Sequence, residues 1–327
     1  MKILTLVIVA AAALLFSGSG GAGRPPHFGA VLNALDNPYF VAMYQGVKHE
    51  ASARHVSVSY RAPQSQTSVS RQVAEVRAIV ARNLDCYALS PIDPTHLVKA
   101  LHGVRQPVVF LDSPLSRATA RRGGLQIATA IGSSDFSAGE LAGHEMVSLL
   151  HGSGQVGLIG GFPTGNGALR LRGFKHVVAG TGVKVVASAL ASYVRVTAEA
   201  EAATMLQDHP QLAGFFAAND LMALGAADAV NAAGKTGQVA IIGVDGITEA
   251  LDAIQSGSMS ATVSQYPYVM GQMAVEACLA ATHHARLPSR VDAPLAVVTK
   301  ANVARAFAKY PRPFKPYSDP FKRLLHP

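Results

Sequence analysis

Eleven side chains suited to holding a hydroxyl-rich molecule follow the ends of short apolar runs along this chain. Asn37, Tyr39 and Phe40 come after Phe28 to Leu32, Ser90 after Asp85 to Leu89, and Asp112 with Ser113 after Val108 to Leu111. Arg170 follows the glycine-rich turn that ends Gln155 to Ile159, and Tyr193 follows Val183 to Leu190. Asn219, Asp245 and Gln265 come after Leu212 to Ala217, Val239 to Val244 and Ala261 to Ser264. Carboxylates and amides accept or share hydroxyl protons, a guanidinium offers a planar fork of donors, and aromatic rings pack on apolar C–H faces. The set suits a neutral polyhydroxyl ligand. Taken singly, an Asn or Asp after a strand is more often a helix N-cap than a ligand contact, and Asn37-Pro38 has the form of such a helix start. Repetition at one strand end after another is what capping alone does not explain.

Reaction chemistry finds less support. The first run leads into "NALDNPYF" and not into G-x-G-x-x-G, and its aromatics would block the close phosphate approach that those glycines permit. "GSGQVGLIGG" at 152–161 is glycine-rich without the fingerprint spacing, and no G-x-S-x-G elbow occurs. The twelve histidines show no metal-ligand spacing with a supporting carboxylate, and His283-His284 reads as a solvated pair. The expectation is a binding protein with no catalytic residue, metal or cofactor.

Parallel strands are the elements that present such residues at one rim. Ten strand-like runs, those above plus Val56 to Tyr60 and Gln126 to Ile131, alternate with segments of helical spacing. Thr67 to Asn83 is one, with Val69, Val73, Val76, Ile79 and Val80 on one face. Such alternation implies α/β architecture with right-handed crossovers, and ligands of open α/β sheets bind beyond the carboxyl ends of the strands. Ten strands in 327 residues exceed one short sheet, so two doubly wound parallel-sheet lobes are expected, crossing near Ser133-Ser134.

Composition, at 49% hydrophobic and 15% charged, is that of a folded protein. Lys2, the apolar run Ile3 to Phe16 and the small residues Ser17 to Gly23 read as a signal peptide over 1–23, too short for a comfortable membrane span. Neither cysteine lies near it, so an exported, periplasmic chain without a lipid anchor is expected. Cys86 and Cys278 each lie in apolar runs and are expected as buried free thiols despite an oxidising compartment. The net charge of +8 reads as spread along the chain apart from the last nineteen residues, a general surface charge and not a nucleic-acid footprint. Those last residues, with Lys309, Arg312, Lys315, Lys322 and Arg323 among prolines and aromatics, are expected to be loosely packed.

With these residues assembled, the chain resembles the periplasmic sugar-binding proteins of the ribose-binding type, which feed ABC importers. "LDNPYF" at 35–40, "LDSP" at 111–114, "ALRLRGF" at 168–174, "FFAANDLMALGA" at 215–226, "IIGVDG" at 241–246 and "ATVSQYP" at 261–267 carry the resemblance in order, from Phe28 to Val298. It implies the type I fold of such proteins, with hinge crossings near Ser133, Gln265 and Asp292. The first lobe would comprise 27–132 and 266–291, the second 133–265 and 292–300, with 301–327 a basic extension. It further implies sugar contacts from Asn37, Tyr39, Phe40 and Asp112 on the first lobe. From the second lobe and hinge come Arg170, Tyr193, Asn219, Asp245 and Gln265. Two positions depart: Ser90 stands where an Asn is usual and Ser113 where an Arg follows the Asp. Losing that bidentate guanidinium points away from ribose itself and toward another pentose, a hexose or a polyol. The implied partners of this monomer are that ligand and an ABC permease in the inner membrane. A sensory protein presenting a sugar-like ligand to a membrane receptor or histidine kinase is the alternative. A repressor of the same fold would carry a helix-turn-helix headpiece where this chain has its signal-like segment.

Overall fold

The computed structural model describes residues 24–113 and 115–325. The signal-peptide reading of 1–23, and the proline of "LDSP", fall outside the described residues. All ten strand-like runs form strands. The first lobe is β1 (His27–Val31), α1 (Pro38–Ala53), β2 (Ser57–Arg61), α2 (Val69–Val80), β3 (Cys86–Leu89), α3 (Pro94–Leu97), β4 (Val108–Leu111), α4 (Arg117–Arg122) and β5 (Ile127–Gly132). The second is α5 (Asp135–Leu149), β6 (Ser153–Gly160), α6 (Asn166–Val178), β7 (Gly182–Leu190), α7 (Arg195–Asp208), β8 (Leu212–Ala217), α8 (Asp220–Ala232), β9 (Ala240–Asp245), α9 (Thr248–Ser256) and β10 (Ala261–Ser264). Then α10 (Pro267–Thr282) returns to pack on α1, β11 (Val291–Asp292) pairs with β5, and β12 (Ala296–Thr299) runs antiparallel to β10. Two short helices follow, α11 (Val303–Lys309) and α12 (Pro320–Leu325).

The two sheets share one plan. Their strand orders are β11-β5-β4-β3-β1-β2 and β12-β10-β9-β8-β6-β7, parallel except at β12. In each, the order reverses beside the first strand of the lobe, which opens a crevice at the carboxyl ends. The chain passes from one sheet to the other at 133–134, 265–266 and 293–295.

Burial explains the regularity. β3 and β4 are buried on both faces and read as unbroken apolar runs, as parallel strands covered by helices must. In the second lobe α5 and α6 press together through glycines: a Cβ on Gly139 would stand 1.9 Å from the Arg170 carbonyl oxygen, and one on Gly173 would stand 2.0 Å from that of Phe136. This contact fixes the helix that carries Arg170.

Three expectations are corrected. Cys86 and Cys278 are not free thiols; they form a disulfide between β3 and α10, with Cα atoms 5.7 Å apart and 192 residues between them in sequence. Both do lie in buried elements as expected, but burial does not distinguish a thiol from a bridge, and the packing of α10 on β3 decides it. The basic extension is not loosely packed: Phe321 is fully buried, and Tyr310, Phe314 and Tyr317 pack against the core. Nor is charge evenly spread. Residues 24–132 hold twelve Lys and Arg against six Asp and Glu, whereas 133–265 hold six against eleven.

Candidate functional site

Asn37 begins the site by beginning α1. Its side-chain oxygen accepts the Tyr39 N–H at 2.9 Å and Pro38 takes the first helical position, so the capping reading holds for this residue. The same cap aims two rings. Tyr39 and Phe40 are buried, edge to face at 5.0 Å, and the Tyr39 hydroxyl donates to Asp112 Oδ1 at 2.9 Å. Burial pushes the Tyr39 phenol up, and the neighbouring Asp112 carboxylate pushes it further, so Tyr39 stays a donor.

Asp112 leaves β4 in a left-handed conformation, φ 62°, which an Asp tolerates better than most residues. Besides Tyr39 it accepts from Ser113 Oγ at 3.1 Å and from Asn166 Nδ2 at 3.1 Å. Asn166, at the start of α6, also donates to Ser113 Oγ at 3.0 Å. The two Asn166 bonds cross from one lobe to the other. Ser113 therefore meets the second lobe directly.

Arg170 is only 4% exposed and is held on three sides. It donates to Asp135 Oδ1 at 2.9 Å, to the Ala218 carbonyl at 2.7 Å and to Asp245 Oδ1 at 3.5 Å. Burial alone would lower its pKa, but Asp135 and Asp245 reverse the sign and hold it above the usual guanidinium value. Asp245 is itself pushed well up by burial, against the pull of Arg170, and accepts from Gln265 Nε2 at 2.8 Å. Asp220 instead holds backbone: it accepts the Gly246 and Ile247 N–H groups and the Thr262 hydroxyl, fixing the turn after β9. Tyr193 lies over Gly161, where a Cβ would strike its ring at 2.1 Å, and accepts the Gly167 N–H at 3.0 Å.

A cavity of about 50 Å³ separates the lobes at this point. The first lobe lines it with Asn33, Asn37, Tyr39, Phe40, Gln66 and Asp112, the second with Arg170, Tyr193, Asn219 and Asp245. Ser113 stands at its edge through Asn166, and Gln265 stands behind Asp245. Ser90 is elsewhere in role: its carbonyl accepts from Gln72, and its buried hydroxyl has no partner among the described residues and does not line the cavity. Asn33, Gln66, Asn166 and Asp135 do not stand out in the sequence. Asn33 sits two residues before "LDNPYF", a signal that could have been used; Gln66 lies in a polar loop and Asn166 at the first position of α6, and neither carries one.

One polar group is conspicuous. Asn219, 2% exposed, spends its oxygen on the Met222 N–H at 3.0 Å as the cap of α8, while its Nδ2 has no partner among the described residues. A buried donor without a partner is costly, and this one belongs to a residue that lines the interlobe cavity. Asn33 Oδ1 is in the same position on the opposite lobe.

The family profile of the periplasmic binding protein domain matches residues 28–284. The chain belongs to the periplasmic binding protein family. Its members are binding proteins and not enzymes. This binding protein is 31% identical to the ribose import binding protein of Bacillus subtilis (strain 168) over 276 residues, 83% of this chain and 87% of that one. It is 30% identical to the D-allose-binding periplasmic protein of Escherichia coli (strain K12) over 254 residues, 75% and 80% of the two chains. Among solved structures it is similar to a periplasmic solute-binding protein from Actinobacillus succinogenes with bound D-allose. There the TM-score is 0.81 at 27% identity, covering 85% of this chain and 99% of that one.

Proposed function

We propose that this binding protein captures a monosaccharide or polyol between its lobes and delivers it to the permease of an ABC importer. The observation that carries the reading is the unpartnered Asn219 amide, placed with Asp112, Asp245 and Arg170 around one cavity. A sugar hydroxyl oxygen supplies the acceptor that Nδ2 lacks, and the same O–H donates a hydrogen bond to a carboxylate. Tyr39, Phe40 and Tyr193 offer ring faces to the C–H side. Asn37, Ser113 and Gln265 support these contacts, through Gln66, Asn166 and Asp245 respectively. Ser90 lines no part of the cavity and is left out of the contact set.

A cavity of about 50 Å³ holds about three or four waters. Sugar entry therefore requires the lobes to part, exchanging the Asn166–Asp112 and Tyr39–Asp112 bonds for bonds to hydroxyls. Closure around the ligand follows from its greater affinity for the closed form. Export by cleavage of 1–23 without lipid attachment completes the reading; the intact mass of the mature chain tests it.

A thermal-shift screen across D-ribose, D-allose, other aldopentoses and hexoses, deoxy sugars and alditols tests the ligand class, because a ligand that binds only the folded state raises its melting temperature. A shift with one or more of these is expected. No shift with any carbohydrate, together with a shift for an amino acid, would overturn the sugar reading.

A further inference from the structure

Segment 303–325 starts on one lobe and finishes on the other. α11 packs on α9 and β12 of the second lobe, with Val303 and Ala306 buried. The chain then passes over the crossing at 265–266, where Phe314 meets the Tyr266 ring edge-on at 6.3 Å and Arg305 lies 5.0 Å from the Phe314 centroid. Arg312 sits 5.9 Å from the ring of Tyr268, already on α10. Beyond it α12 lies on α10 of the first lobe, with Phe321 at 0% exposure. Asp319 stands beside the Glu276 carboxyl of α10, Lys322 is 3.9 Å from Asp319, and Arg54, just past the end of α1, is 3.5 Å from Glu276.

The crossing it covers holds one of the chain's left-handed residues. Tyr266 adopts φ 55°, a left-handed conformation that a bulky residue rarely takes, so its neighbours hold it there. Around Tyr310 and Phe314 stand Ala42 and Pro267 from first-lobe helices, with Gly246, Leu251 and Val298 from the second lobe. Any rotation of one lobe against the other changes these contacts. They are formed here together with the direct Asn166–Asp112 bond across the cleft, so they belong to the closed arrangement. The family profile ends at residue 284, before the segment begins.

We propose that segment 303–325 is a strap across the hinge, anchored on both lobes, whose contacts favour the closed arrangement and hold the ligand-free protein nearer to closure. A state is favoured by whatever interacts with it better than with its alternative, and the strap meets that condition through groups of both lobes at once.

Small-angle scattering of the ligand-free mature chain, compared with a chain shortened after Lys309 and with Phe314→Ala, tests this without any sugar. The shortened chain should give a larger radius of gyration although it has fewer residues, and Phe314→Ala should shift the same way. Far-UV circular dichroism checks that both remain folded. A folded shortened chain that scatters as this closed arrangement minus the deleted residues overturns the strap. If the shortened chain does not fold, Phe314→Ala decides alone, and a radius equal to the parent's overturns it. Failure here would leave sugar capture standing, and failure of the sugar screen would leave the strap standing.

Discussion

Arg170 and Asn219 show how one residue can serve fold and ligand together, and their substitutions separate the two roles. Asn219→Ala removes both the α8 cap and the free amide, so it should cost about 1 kcal/mol of stability in urea unfolding as well as ligand binding. Asn219→Ser keeps a capping oxygen and removes only the amide; it should unfold within about 0.5 kcal/mol of the parent yet lose most of its thermal shift with sugar. An unchanged shift in the serine variant would return Asn219 to capping alone. Arg170→Met leaves Asp135 and Asp245 buried without their cation, a change that costs about 3–5 kcal/mol where a buried pair is broken, and calorimetry of the ligand-free protein should record it. Beside the raised carboxyls of Asp220 and Asp245, Glu276 is one source of pH dependence. Burial, with Asp319 and then Glu50 adding to it, pushes its carboxyl from the ordinary 4.5 up to about 9. The folded chain thus keeps a proton that the unfolded chain releases. Its contribution is complete below 4.5 and is lost as pH rises through about 9, so the urea midpoint should fall across that window. Glu276→Gln should flatten the fall, and a slope unchanged by this variant would assign it to other groups.

At the scale of elements, the disulfide holds the returning helix to the lobe that the chain left behind. It closes a loop with 192 residues between its ends, and both sulfurs sit in the first lobe, so it stabilises that lobe without tying it to the second. Cys278→Ser should cost about 2–5 kcal/mol by the loop-closure argument. Non-reducing peptide mapping should recover the Cys86–Cys278 cross-link from the parent, and two alkylated thiols would overturn the pairing. The bridge was not legible beforehand because it depends on where α10 lands. Strands such as β3 and β4 were legible because a strand buried on both faces must be an apolar run, and the less buried edge strands β2 and β7 were legible by their place in the strand–helix alternation. The two strands that were missed, β11 and β12, have two and four residues and follow the last long helix, outside the strand–helix alternation that marked the others. The site follows the same division. Residues at strand ends, such as Asp112 and Asp245, could be named from the runs that precede them. Gln66 reaches the cleft from a loop and Asn166 from the start of α6, and only the meeting of the two lobes brings Asn166 to Asp112.

On the whole molecule, the opposite charge balances of 24–132 and 133–265 make the two lobes attract one another. Most of these charges are exposed, so each pair contributes little, but closure brings two lobes of opposite net charge nearer and sums over many pairs. Salt screens this term: the Debye length falls from about 8 Å at physiological ionic strength to about 3 Å in 1 M salt. The cleft contacts respond far less, because Arg170, Asp112 and Asp245 are buried. Ligand binding that requires closure should therefore weaken with added sodium chloride, by a factor on the order of two to five between about 0.02 M and about 1 M. Titration calorimetry with the sugar found in the thermal screen measures it. The radius of gyration of the ligand-free protein should grow over the same range if the lobes attract at rest. Affinity independent of salt would show that the hydrogen-bonded cleft and the segment over the hinge carry closure without help from the lobe charges.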